Sequence, residues 1–542
     1  MKSLPFILAA LLGLLAAGCS SPATANGPDA EVRPDDGQVA DTPSDPGPEG
    51  GADAGREDLL CRPNLADFPV RPAVTEPATL PFLRVEGTDL VDDTGAPVAL
   101  RGVNFGSWLQ MEAWIAGIGV MRPEDLQAAM LQRAEEAGLA DLLEDAQKSN
   151  LLAFLAETRS LPVLVAEWRA YMLAHATDAQ LEAVLELWAW IEAQPWIFDE
   201  EGMWEWMTLR FGPTAAEELR EAFADAWITE ADVAGVAALG LNAIRVPFWY
   251  RALETDGLDP VAFRPEGWRH LDDVTRWARR HGVWIILDLH GAPGGQSAAE
   301  HAGLKDGGHL PDEPRCIERT ARLWQAVASY FRDDPHVAAY DLLNEPMAVR
   351  SAAAFRAIHD PLYRAIRDVD DRHVVMAEDG YRSPSFLASP RELGWTNAMF
   401  SVHAYPTTEH SAEAYAEAMS AEIDRLEDDF DWPTRFDCPV LLGEFNAMGG
   451  DPWAPAAMDA AIAHLNARGV HWTVWTWKFA SPDSTWGVWH PKAPARIDVK
   501  DATAEQIRRS FDGLASAGFE AYDAYAAALA ARALDPVVPL SP

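Results

Sequence analysis

Cysteine is scarce in this chain: four residues in 542. That excludes a disulfide framework as the source of stability. No CxxC pair and no HExxH string occurs, so no zinc motif is legible. Positive charge is also short, with 43 Lys and Arg against 84 Asp and Glu, a formal net charge of −41. This balance argues against nucleic-acid binding, which needs a positive footprint. It argues equally against electrostatic docking on anionic lipid. No apolar run reaches the length of a membrane span. No Gly-rich phosphate turn follows the first strand-like run, which argues against a doubly wound dinucleotide fold.

Apolar residues make up 49% of the chain and charged residues 23%, a balance suited to a large buried core. Tryptophan is abundant at 22 residues. That suits stacking on sugar rings, although most Trp in a large protein packs the core.

The first residues are an address. Lys2 precedes an apolar run from Leu4 to Ala17, broken by Pro5 and Gly13, with the shape of a secretory signal. It ends Leu15-Ala16-Ala17-Gly18-Cys19, which resembles a bacterial lipobox with Ala16 where Leu is usual. The resemblance implies loss of residues 1–18, lipidation of Cys19 and anchorage to a membrane. Ser20 would permit outer-membrane sorting, leaving the body on the periplasmic or surface face. An ordinary cleaved signal is the alternative, and either implies export. Residues 19–57 are rich in Pro, Gly, Asp and Ala and read as a disordered acidic tether. As a flexible coil it would reach roughly 30–35 Å. The body is expected over residues 58–542.

Within it, short apolar runs alternate with long amphipathic stretches. Eight runs read as strands: 98–104, 243–247, 283–290, 337–344, 373–378, 398–403, 440–444 and 471–477. Eight strands separated by helices predict an α/β fold, the (β/α)8 barrel, with chemistry at the C-terminal ends of the strands. Residues 116–196, between strands one and two, exceed what a barrel needs. Leu151, Phe154, Leu155, Leu181, Val184, Leu185 and Trp188 recur there at helical spacing, so a helical insertion is expected. It would serve as a lid or wall of the cleft, with Trp188, Trp190 and Trp196 free to stack on sugar, as a bundle on the barrel's flank with those Trp in its own core, or as a dimerisation element. Residues 505–533 read as one or two helices of the outer ring.

Two strand ends carry carboxylates: strand four runs into Asn344-Glu345-Pro346 and strand seven ends Gly443-Glu444. Strands four and seven face each other across a barrel mouth. Two Glu there sit about 5 Å apart, the spacing of a retaining glycosidase. The acid of such a pair must stay protonated near neutral pH, through burial and its neighbour's charge. Either Glu alone reads as a salt-bridge partner or helix cap. Other strand ends carry Arg245, His290, His403, Tyr405 and Trp477.

This ordered set resembles glycoside hydrolase family 5, the retaining clan of cellulases, mannanases and exo-β-1,3-glucanases, over about residues 82–115 and 200–530. The family's pattern is Arg on strand two, His on three, Asn-Glu on four, His-x-Tyr on six, Glu on seven and Trp on eight. The strings Arg101 to Leu109, Trp227 to Glu230, His290 to Gln296 and Trp475 to Lys478 resemble the exo-β-1,3-glucanase branch. Ser107 and Phe445 stand where that branch usually has Gly and Trp.

The resemblance implies roles. Glu444 would be the nucleophile and Glu345 the acid/base. Arg245 would hold Glu444 ionised, and Tyr405 would donate a hydrogen bond to it. Asn344 would bind the sugar 2-hydroxyl; His290 and His403 would bind hydroxyls or orient the carboxylates. Trp477 would floor the cleavage subsite. Asn104, Trp108, Gln296 and Lys478 are further candidates for sugar contacts. No metal or organic cofactor is expected. Cys61, Cys316 and Cys438 allow at most one disulfide, leaving one thiol, and Cys438 is expected to be buried.

The expectation is an exported retaining β-glycosidase acting on β-glucan-type saccharides, β-1,3-glucan or related β-glucosides preferred. Its partners would be carbohydrate and, through the lipid, a membrane. The alternatives are a glycolipid-directed glycosidase or transglycosylase, and a non-catalytic glycan-binding lipoprotein.

Overall fold

Eight parallel strands close into a barrel in the computed structural model. It describes residues 61–539 apart from 120–122, 150–160, 193–198, 256–260, 379, 381–387, 407–410, 429–431, 448–451, 483–485 and 495. The signal segment, Cys19 and the tether lie outside the described residues. The strands are β1 (Arg101–Asn104), β2 (Ala243–Trp249), β3 (Trp284–Gly291), β4 (Val337–Asp341), β5 (Val374–Glu378), β6 (Ala398–His403), β7 (Val440–Glu444) and β8 (His471–Val474). They pair in chain order, and β8 closes on β1 with Trp472 opposite Arg101. Each lies on one of the eight runs read from the sequence. β2 and β3 are buried at every residue, as strands covered on both faces must be.

A hairpin, Arg84–Glu86 paired with Asp89–Val91, lies near one end of the barrel. Leu83, Leu90 and Leu100 pack there with Ala243, Trp284, Ile286, Val374, Met376 and Leu441. These are residues from the N-terminal parts of the strands, so the opposite end is left for the loops that follow them.

The longer helices are α1 (Pro123–Glu136), α2 (Ala140–Ser149), α3 (Leu161–His175), α4 (Leu181–Glu192), α5 (Glu200–Phe211), α6 (Pro213–Trp227), α7 (Glu230–Ala238), α8 (Pro265–His281), α9 (Pro314–Phe331), α10 (Ala352–Arg367), α11 (Ala412–Asp428), α12 (Ala454–Ala467), α13 (Ala504–Asp512) and α14 (Asp523–Ala533). α8 shows the local logic. Pro265 fits its first turn, where no amide hydrogen is needed, and Gly282 ends it at φ 69°, a conformation costly for a residue with a Cβ. Between them Trp268, Leu271, Val274 and Ala278 bury one stripe. No described helix is long and apolar enough to cross a membrane.

α1 to α4 lie between β1 and β2 and carry a core of their own. Leu126, Met130, Leu143, Leu164, Trp168, Met172, Val184 and Trp188 meet there. Trp188 is buried in this core, which removes it from sugar stacking. Trp190 lies under the Arg133 guanidinium at 4.1 Å, and Trp196 lies outside the described residues.

Cys61 is bonded to Cys316, and Cys438 is a buried free thiol. The bond joins the start of the described chain to the first turn of α9. Asn64 reinforces it by donating to Glu254 at 3.1 Å, and Arg319 from α9 donates to the same carboxylate at 2.9 Å. Closing so long a loop removes denatured-state entropy worth on the order of 5 kcal/mol in the chain-entropy model.

Candidate active site

Arg245, fully buried on β2, organises the C-terminal end of the barrel. Its guanidinium meets four carboxylates: Glu444 at 2.7 Å, Glu378 at 2.9 Å, Asp341 at 3.0 Å and Asp288 at 3.1 Å. It also donates to the side-chain oxygens of Asn344 at 2.9 Å and Asn104 at 3.2 Å. The five fixed hydrogens of Arg suit such a task; a Lys ammonium could not reach all these partners.

Glu444 ends β7. Its Oε1 accepts from Arg245 and its Oε2 from the Tyr405 hydroxyl at 2.9 Å. β7 shifts register against β6 between Leu442 and Glu444, so Gly443 is the extra residue of a bulge. Glu345 follows β4 with φ 41°, in the region a side-chain-bearing residue rarely adopts. Its amide donates to Glu378 Oε2 at 2.6 Å. One side-chain ligand atom each of Glu345, His403 and Glu444 lie within 4.8 Å of one another. These residue types could hold a metal ion. Here both Glu444 oxygens already accept hydrogen bonds, and His403 lies 2.8 Å from Glu345.

His403 has Nδ1 at 2.8 Å from Glu345 Oε1 and Nε2 at 3.1 Å from Glu378 Oε1. Burial disfavours its charge, but Glu378, Glu444 and Glu345 together outweigh burial and lift its pKa well above the usual value. His290 goes the other way. Burial holds its pKa well below the usual value, although Glu444 pulls upward. A neutral His290 donates from Nδ1 to Asp288 at 2.7 Å and presents Nε2 to the Asn344 amide at 3.4 Å. Its ring stacks on Trp475, centroids 5.5 Å apart at 8°.

Residues 209–481 match the family model for cellulase, glycosyl hydrolase family 5, a stretch that holds β2 to β8 and both carboxylates. The chain belongs to glycosyl hydrolase family 5. A β-xylosidase from Phanerodontia chrysosporium is 27% identical to it over 328 residues, 60% of this chain and 52% of its own length. A probable glucan 1,3-β-glucosidase A from Aspergillus fumigatus is 27% identical over 296 residues, 52% of this chain and 66% of its own. This chain therefore spans about half of the first relative and under two thirds of the second. Among solved structures, a β-glucanase from Saccharophagus degradans aligns over 82% of this chain and 97% of its own at 15% identity, with a TM-score of 0.41.

In this family 5 chain the structure gathers Arg245, His290, Asn344, Glu345, His403, Tyr405 and Glu444 as the sequence led one to expect. It corrects five other positions. Trp477 is 1% exposed, donates to Asp232 on α7 at 3.0 Å and packs against Phe105 and Trp489, so it cannot floor a subsite. Trp475, two residues earlier, is the one that stacks beside the carboxylates' partner His290. Lys478 is buried against Asp232 and the Trp227 carbonyl. Trp108 donates to the Ala224 carbonyl at 2.9 Å within the core. Gln296 spends its amide on the carbonyls of His290 and Asn344 and on the Ala292 amide. Asn104 donates to the Gly443 and Thr473 carbonyls and accepts from Arg245, which makes it a brace for Arg245 rather than a sugar contact.

Several site residues carried no sequence signal strong enough to name them. Asp288, Asp341 and Glu378 are strand residues whose types look misplaced in buried runs, and that mismatch was the available clue. Glu112 follows β1 and accepts from Trp114 Nε1 at 2.8 Å. Burial raises its pKa well above the usual carboxylate range, and Glu300, Glu444 and Glu345 add to the rise. Its Oε1 is buried and unpartnered among the described residues, so a neutral Glu112 has a hydrogen to offer a ligand hydroxyl.

Gly443 is required for want of space. A Cβ there would lie 2.5 Å from Ser401 Oγ and 2.8 Å from His403 Nε2. Gly443→Ala should displace His403 and lower kcat by about 10²-fold, since an ångström of misplacement costs that much. Melting temperature and kcat measured side by side check this; a variant with full activity would show that His403 has room to move.

Proposed function

We propose that this protein is a retaining β-glycosidase that hydrolyses β-glucan-type saccharides by double displacement. The observation that carries the reading is the approach of Glu345 and Glu444 ligand atoms to within 4.8 Å. The retaining mechanism needs carboxylates about 5–5.5 Å apart, whereas inversion needs room for a water between them. Glu444 attacks the anomeric carbon while Glu345 gives its proton to the leaving oxygen. Water then loses a proton to Glu345 and displaces Glu444. Arg245 and Tyr405 each donate to one oxygen of the attacking carboxylate and keep it aimed. His403 keeps Glu345 turned toward it. Trp475, stacked on His290, holds that ring beside the carboxylates.

β-1,3-Glucan or related β-glucosides are the preferred substrates. Two findings support them: the sequence strings at β1, β3 and β8, and the likeness to a glucan 1,3-β-glucosidase. The likeness to a β-xylosidase adds xylosides to the panel. The protein acts outside the cytoplasm, held by lipid on Cys19. The Cys61–Cys316 bond supports an oxidising compartment.

The test is proton NMR of the first product formed from β-1,3-, β-1,4- and mixed-linkage glucans and from aryl β-glucoside and β-xyloside. The β-anomer should appear first and mutarotate later. An α-anomer appearing first would overturn the retaining mechanism. Glucose alone would indicate attack at chain ends, and a ladder of oligomers attack within the chain.

A further inference from the structure

Glu345 has a second histidine. His301 sits in the short turn Glu300–Ala302 that follows β3, and its Nδ1 lies 3.4 Å from Glu345 Oε2. His403 approaches the other oxygen, Oε1. We propose that His301 is a positioning residue that holds Glu345 Oε2, the oxygen carrying the shuttled proton, and so sets the pH at which the acid form is lost. This rests on Glu345 being the acid/base.

Which oxygen carries the proton follows from the partners. His403 lies between three carboxylates, Glu345, Glu378 and Glu444, which favour its charged form. A charged imidazole has hydrogens on both nitrogens. Oε1 therefore already receives a charged donor, and the acid hydrogen belongs on Oε2. His301 is the histidine beside Oε2.

The tautomer of His301 follows from burial. Its Nε2 is buried without a hydrogen-bond partner among the described residues. An orphaned buried N–H costs more than an orphaned acceptor, so the hydrogen belongs on Nδ1, facing the carboxylate. A donor there favours the ionised form of Glu345 over the acid. The distance is long for a hydrogen bond in the free protein, and such contacts commonly tighten when substrate fills the site.

His301 is also held in place. Glu201 at the start of α5 donates its amide to the Gly303 carbonyl at 3.0 Å and accepts the Lys305 amide at 3.1 Å. Gly303 has φ 76°, and a Cβ there would lie 2.9 Å from both Gln110 Nε2 and Trp249 Nε1. Titratable groups near the His301 ring among the described residues include Glu345, His290 at 6.2 Å between centroids, and Glu300 on its own turn.

The experiment is the pH dependence of kcat/KM on an aryl β-glucoside, using the whole chain. His301→Leu should move the alkaline limb upward by about one to two pH units, the scale of one hydrogen bond to a charged group. His301→Asn, whose amide nitrogen can stand where Nδ1 stands, should bring the limb back toward the parent. Limb position does not depend on the amount of folded enzyme, so partial misfolding does not hide the result. A leucine variant whose limb superimposes on the parent, or an asparagine variant that behaves as leucine does, overturns the proposal. Glu345→Ala with azide and a dinitrophenyl β-glucoside separates the two failures. Recovery of turnover as the glycosyl azide sustains the acid/base reading whatever His301 does; no recovery overturns both.

Discussion

Glu444→Gln should lose turnover by a factor on the order of 10⁵–10⁶, the scale seen when a covalent nucleophile is removed. Glutamine keeps an acceptor for Arg245 or Tyr405 but has no anion to attack the anomeric carbon. The loss should be the same for every leaving group, because bond formation to carbon fails in each case. Glu345→Ala should behave differently. Toward a saccharide leaving group, which must be protonated, it should lose about 10²–10⁴-fold, the usual worth of general acid catalysis. Toward dinitrophenolate, which leaves without help, the first step should be nearly intact and the second slow. A burst of dinitrophenol followed by slow turnover is the expected trace. If the two variants instead responded alike to leaving-group quality, the assignment of roles to Glu345 and Glu444 would be wrong.

Much of this site was legible because a barrel imposes order on sequence. All eight strands announced themselves as short apolar runs. Glu444 and His403 each end a strand and Arg245 stands third in β2, all within buried apolar runs where a polar residue has no place in a core. What failed was reading past the last regular residue. β8 ends at Val474, so strand alternation no longer governs Trp475 and Trp477. Thr476 Oγ1 and the Trp477 amide both donate to the Asn104 carbonyl, and this turns Trp477 back into the core beside Asp232. Spacing alone could not choose between the two indoles. Gln296 and Lys478 misled for a related reason: a polar residue near a strand end can serve the backbone as readily as a ligand. His301 and Glu112 lie on loops, where position follows from tertiary contacts such as the Glu201–Gly303 hydrogen bond rather than from any period. The pairing of Cys61 with Cys316 across 255 residues is likewise a product of the finished fold.

Arg245→Leu should cost about 3–5 kcal/mol, the range for removing one partner of a buried ion network. Four carboxylates would remain around an apolar side chain, and two of them are already perturbed with Arg245 present. Burial raises Asp288 well above the carboxylate range against the pull of Arg245. Burial and then Glu378 raise Asp341 to about 7, again against Arg245. These carboxyls hold protons in the folded chain that the unfolded chain releases from about pH 4 upward. Stability therefore falls as pH rises through that window. Without the guanidinium the carboxyls should keep their protons to higher pH still, so the window should widen and the penalty grow. The gap in melting temperature between parent and variant should accordingly be smallest near pH 5 and largest near pH 8. Arg245→Lys should fall between them, since one ammonium can replace only part of the guanidinium's contacts. A gap that stays constant from pH 5 to pH 8 would mean that the four carboxylates do not share charge through Arg245. The same variants should also lose turnover, because Arg245 donates to Glu444 Oε1 and fixes the carboxylate where the sugar must meet it.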